Sequence, residues 1–134
     1  LDLSKSNFSG ANFYKANMSF SNFNDAFFQE AKLIDANLTK ASFKEANFTF
    51  ADLTGADLSS ANLDGARMYG VFLKQANLTG SNLHNVDFRG ANLTNANLSY
   101  ANLDGANFEY ALLGGATWVD GKTICKLGSV SICE

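Results

Sequence analysis

The sequence predicts an all-β solenoid, a four-sided parallel β-helix of about six coils. Two observations predict it. Large apolar residues recur every fifth position without a slip, and residue types recur again every twentieth position. The absence of proline fits the same picture, because a ladder that uses nearly every N–H leaves proline no place.

The five-residue rhythm runs from Leu3 through Phe8, Phe13 and Met18 to Leu113 and Trp118, twenty-four positions in all. Two residues before each of them, from Ser6 to Ala116, stands Ala, Ser or Val, with Leu1 the one exception at the start. The residue between is usually Asn or Asp. A period of five fits neither an α-helix nor a coiled coil. It fits a short extended segment plus a corner. Side chains alternate in such a segment, so the small residue and the Leu or Phe share the inner face while the Asn points out. The two mostly polar or Gly residues that follow break the alternation and turn the chain.

The number of sides comes from the second recurrence. Steps of fifteen scatter the phenylalanines, whereas steps of twenty give the column Phe8, Phe28, Phe48, Met68, Phe88, Phe108. Like stacked on like favours four sides per coil. Six coils at ~4.8 Å spacing make a rod roughly 29 Å tall.

The repeated pattern of small residue, Asn or Asp, Leu or Phe, and two variable positions resembles the pentapeptide-repeat family over residues 1 to about 120. The resemblance implies right-handed coiling of the β-helix. Phe27, Lys32, Arg67, Phe72 and Leu112 depart from the Asn or Asp position, and Val71 and Val86 are expected to bulge the wall locally. Residues 1–120 are read as the solenoid and 121–134 as a capping tail. Some bacterial and cyanobacterial members carry a similar tail with Trp, Asp-Gly and two cysteines. Here Trp118 takes the last inward position, and Cys125 and Cys133 are read as a structural disulfide. That cross-link would add about 2.5 kcal/mol by chain entropy. A redox pair or metal site would want Cys-x-x-Cys or added histidines, and neither is present. A disulfide favours an oxidising compartment such as periplasm, thylakoid lumen or extracellular space, with the cytoplasm left open.

Composition excludes several classes. A net charge of −3 and a pI near 5.0 argue against direct nucleic-acid binding. No apolar run is long enough to insert in a membrane, and no signal peptide is legible, though a start at Leu1 leaves room for a removed segment. The seven Asn-x-Ser/Thr sequons are products of the repeat. No phosphate loop, zinc spacing or nucleophile–base pair is present, so neither a cofactor nor an enzymatic activity is expected.

Outward positions define three candidate surfaces. The column Ser4, Asn24, Lys44, Asp64, His84, Asp104 places the only histidine between two carboxylates, each about 5 Å away, an arrangement that would raise an imidazole pKa. The Asp64, His84, Asp104 ladder lacks a pocket and a nucleophile, so it reads first as surface charge. Its side holds Asp2, Asp25, Glu45, Asp64 and Asp104 against Lys5 and Lys44, a balance of −3. Some members of the family mimic DNA and bind DNA gyrase, and this acidity is thin for that role. The side bearing Met18, Leu38, Leu58, Leu78 and Leu98 carries an Asn/Asp ladder beside a Ser/Thr ladder, which suits either backbone satisfaction or a regular surface such as ice or polysaccharide. Phe50, Tyr69 and Phe72 fall around one corner, with Phe27 one coil away, as a candidate protein-binding patch. The leading expectation is a non-enzymatic scaffold or protein-interaction module. A gyrase-directed DNA mimic and a flat-face binder are the alternatives.

Overall fold

The computed structural model describes all 134 residues. Parallel bridges join positions twenty apart without interruption, from Asp2 with Asn22 to Asn97 with Thr117. The coils are therefore twenty residues long, and each has four short extended segments separated by two-residue corners. In the first coil the four sides are centred on Asp2, Asn7, Asn12 and Asn17.

One repeat shows why the five positions differ. Asn37 donates its N–H to Ala16 O at 2.9 Å in the preceding coil, and Leu38 donates to Asp57 O at 2.8 Å in the next. Lys40 also donates forward, to Ser59 O at 3.1 Å, and Ala41 closes the corner onto Leu38 O at 3.2 Å. The fifth N–H, on Thr39, has no carbonyl to reach. It donates to Asn37 Oδ1 at 3.1 Å. Asn or Asp ahead of the apolar residue thus completes the hydrogen bonding of the corner, which is why the position is so constrained. It also fits the missing proline, since a repeat with Asn or Asp in this position uses every one of its N–H groups.

The corner bends because its second residue is left-handed. Every fifth residue from Lys5 to Gly115 has φ between 55° and 74°. A turn closed from its fourth residue to its first, with positive φ at the third, has the type II pattern. Fifteen of these positions are not glycine, so strain is built into the corners.

Inside, the Leu, Phe and Ala residues stack in columns, inaccessible from Phe23 to Leu98 and partly exposed in the end coils. Phe28 lies on Phe48 with centroids 4.9 Å apart and planes 7° from parallel, and Phe23 lies on Phe43 at 5.1 Å. Met68 fills the same column between Phe48 and the Phe88–Phe108 stack. Burial of each such side chain is worth about 1.5–3 kcal/mol. Val71 and Val86 are fully buried, and the bridges Asp52–Phe72 and Arg67–Asp87 run past them in register. The bulge expected there is absent, because the extra methyl groups point into the core without displacing the ladder.

After Trp118 the chain reverses. Thr117 pairs with Ile124 and Leu112 with Val130, both antiparallel, so the tail lies along the third and fourth sides of the last coil. Cys125 is buried and bonded to Cys133. Trp118 remains partly exposed and packs on Phe108 with centroids 5.7 Å apart.

Candidate functional site

Phe50 and Tyr69 meet at the corner between the second and third sides, on successive coils. Their rings contact edge to face at 5.5 Å, yet the residues stay 52% and 46% exposed. The Arg89 guanidinium lies 5.9 Å from the Tyr69 centroid and is anchored by a two-point hydrogen bond to Asp87, with both bonds at 2.8 Å. That pairing holds the Asp87 carboxyl below its ordinary range, with the Arg89 side-chain hydrogen bond the leading cause. Phe72 stands on the adjoining third side, 47% exposed, without ring contact to either aromatic. The structure thus brings Phe50 and Tyr69 together with Arg89, an anchor the sequence reading did not include. Its signal was its place one coil above Tyr69 in the same column.

Departures from the Asn or Asp rule collect around this corner. Phe72 and Arg67 stand where Asn would accept a corner N–H, and the N–H groups of Lys74 and Tyr69 accordingly have no protein acceptor. Phe27 does the same to Gln29. Arg67 and Phe27 also line a shallow cleft with Asp25, Glu45 and Asn47. Sequence reasoning missed this cleft. Its trace was two departures in one column, Phe27 and Arg67, beside the acidic corners Asp25 and Glu45.

On the first side, His84 Nδ1 donates to Asp64 Oδ1 at 2.8 Å, and Lys44 Nζ lies 3.5 Å from Asp64 Oδ2. The Asp64 carboxyl is held below the usual carboxylate range, chiefly by the hydrogen bond from His84. Asp104, the other neighbour in the ladder, makes no ion pair with His84. The imidazole therefore leans toward the preceding coil only, and no group of three or more metal-ligating side chains forms.

On the fourth side the polar ladders face each other. Asn37 Oδ1 accepts from Thr39 Oγ1 at 2.8 Å as well as from its N–H, and Asn77 does the same for Thr79. Asn77 Nδ2 also donates to Asp57 Oδ1 at 3.1 Å. Four of the five hydroxyls in the Ser/Thr column, on Ser19, Thr39, Thr79 and Ser99, are spent on the neighbouring Asn, which favours the backbone-satisfying reading of these columns.

A continuous five-residue register, twenty residues per coil and left-handed corners define a repeat solenoid whose family is readable from the sequence model it matches. Residues 1–29, 21–59, 56–95 and 73–109 match the model described as pentapeptide repeats, and the chain belongs to that family. Its fold is the right-handed quadrilateral β-helix of that family. A pentapeptide repeat protein from the Arabidopsis thaliana thylakoid lumen is 37% identical over 76% of this chain and 68% of its own, with a TM-score of 0.49. Another, from Nostoc PCC 7120, is 46% identical over 63% of this chain and 66% of its own, with a TM-score of 0.46. QnrB1, a plasmid-mediated fluoroquinolone resistance protein, is 22% identical over 87% of this chain and 72% of its own, with a TM-score of 0.40. No curated protein sequence matches the chain.

Proposed function

We propose that the chain is a non-enzymatic scaffold that binds a protein partner through the edge carrying Phe50, Tyr69 and Phe72. One observation carries this reading. Phe72 occupies a position where the repeat gains a hydrogen bond from Asn, and it leaves the Lys74 N–H without one while keeping an aromatic ring half in solvent. A local rule broken at a stability cost, beside an exposed aromatic pair and an anchored arginine, has the composition of a binding hot spot. The rigid solenoid presents these groups with little to reorganise on binding.

The test compares the native chain with a Phe50→Ser, Tyr69→Ser, Phe72→Ser variant as bait in extract from the source compartment. A specific protein captured by the native chain and lost by the folded variant is the expected result. A partner retained in full by the variant rules this edge out. DNA gyrase supercoiling is expected to proceed unchanged in the presence of the chain. Two of its acidic groups, Asp64 and Asp87, are engaged by cations, which thins an already weak negative surface further. The Cys125–Cys133 disulfide supports an oxidising compartment as the site of action.

A further inference from the structure

The tail covers only half of the C-terminal end. On the third and fourth sides it accepts from Leu113, Gly115 and Trp118 and donates to Ala111 and Ala116. On the first side and the start of the second side of the same coil the ladder stays open, and the tail reaches back only as far as Tyr110, whose N–H donates to Ser131 Oγ at 2.9 Å. The N–H groups of Leu103, Gly105 and Phe108 have no protein acceptor, and the carbonyls of Ala101 and Ala106 accept no protein hydrogen bond. One coil earlier the equivalent groups are all paired: Leu83 N donates to Asn102 O at 2.8 Å, Asn85 N to Asp104 O at 2.9 Å, and Ser81 O accepts from Asn102 N at 3.0 Å. Beneath the open edge lie Leu103, Phe108 and Trp118, packed on the core but partly exposed. Asp104 and Glu109 stand at its rim, exposed and in no ion pair. Arg89, one coil back in the Glu109 column, is held by Asp87.

We infer that this open half-end is a docking site for an extended segment of a separate protein chain that adds two strands to the ladder. The donors and acceptors set the backbone pattern, as in strand addition to any free edge. The unpaired carboxylates set the side-chain chemistry. The segment carries an apolar residue for each side, to cover Leu103 and Phe108, and a basic residue just after each, to meet Asp104 and Glu109. Charges at an edge also serve to discourage pairing altogether, and a pair of peptides of opposite charge distinguishes the two uses.

The probe is the synthetic peptide Ala-Asn-Leu-Lys-Gly-Ala-Asn-Phe-Lys-Gly, with a control in which both lysines are glutamate. Binding to the 134-residue chain is followed by amide NMR and hydrogen exchange. The lysine peptide is expected to shift the Leu103, Gly105 and Phe108 amides and to slow their exchange. It should bind about tenfold tighter than the glutamate peptide, from two exposed ion pairs. Asp104→Lys together with Glu109→Lys, at two exposed positions, should reverse that order. Slow exchange of the Leu103 and Phe108 amides in the chain alone would overturn the proposal, because the edge is then already covered. Failure of both peptides to slow these amides would overturn it equally and leave the carboxylates as guards of the edge.

Discussion

The phenyl ring of Phe50 lies over Gly70, one coil further on, and a Cβ built at Gly70 would meet its Cε1 at 2.5 Å. The same relation recurs at other corners. The Glu45 carboxylate leans over Gly65, and the side-chain amides of Asn85 and Asn95 lean over Gly105 and Gly115. A left-handed corner residue points its side chain along the stack, and a glycine in the next coil gives it room. Gly70 therefore sets the posture of Phe50, and with it the Phe50–Tyr69 contact on the proposed binding edge.

A pair of substitutions separates backbone strain from that packing. Gly70 and Gly90 both have positive φ, at 62° and 67°, but a Cβ at Gly90 meets nothing within 4 Å. Gly90→Ala is expected to cost about 1 kcal/mol, the price of a left-handed alanine. Gly70→Ala adds displacement of the Phe50 ring and loss of its edge contact with Tyr69, about 0.5–1 kcal/mol more. Denaturant midpoints measure both. Equal losses would show that the ring moves aside freely.

The hydrogen bond from the outward Asn to the corner can be tested in both directions. Asn77→Ala removes acceptors from the Thr79 N–H and hydroxyl, and removes the donor to Asp57. A loss of about 1–2 kcal/mol is expected. Phe72→Asn runs the other way. It supplies the Lys74 N–H with an acceptor and removes an exposed ring, for a gain of about 0.5–1 kcal/mol. If the binding edge is where it is proposed, that more stable protein binds its partner less well, the usual trade between stability and function. Thermal unfolding and partner capture on the same variant read the two effects.

Most of the fold was legible because a single rule is repeated. A residue such as Leu58 is inward by register alone, and the column Phe8 to Phe108 reported the coil length before any coordinate. What stayed hidden depended on side-chain direction. The ladder Asp64, His84, Asp104 is evenly spaced in sequence, but a hydrogen bond draws His84 to Asp64 alone. The three aromatics share a corner in the register, yet only Phe50 and Tyr69 touch. The half-open end was out of reach for another reason. Where a tail of irregular sequence lies down is settled by pairings such as Leu112–Val130, and no periodicity announces those.

The turn that follows the last coil hangs on Asp120. Its carboxylate accepts the N–H groups of Lys122 and Thr123 at 2.9 and 2.7 Å and the Thr123 hydroxyl at 2.6 Å. These bonds, the Thr123 side chain first, hold its pKa down to about 2 against an ordinary 3.8. A carboxyl depressed in the folded state stabilises fully above its unfolded pKa and loses that contribution as pH falls through the folded value. The turn should therefore be intact at pH 5 and loosen between about 4 and about 2, whereas Asp120→Ala loosens it at every pH. NMR titration of the Lys122 and Thr123 amides follows this directly. A midpoint near 4 would sink the assignment.

The disulfide should act on one end of the rod and not on its middle. Cys125 anchors the tail through bonds with Gly115 and Ala116, and Cys133 closes the loop that holds Ser129 against Leu113. Removing the link by a Cys125→Ala, Cys133→Ala pair is expected to cost about 2.5 kcal/mol on chain entropy, plus the loss of a buried sulfur. In a stacked solenoid each coil feels only its neighbours, so this cost falls on the coil beside the tail. Amide exchange should quicken strongly at Leu113, Gly115 and Trp118, whose acceptors lie in the tail, and scarcely at Leu53 or Leu58, which pair with Phe72 and Asn77. Exchange that quickens uniformly from end to end would mean that the rod unfolds as one unit and that the tail secures the whole of it.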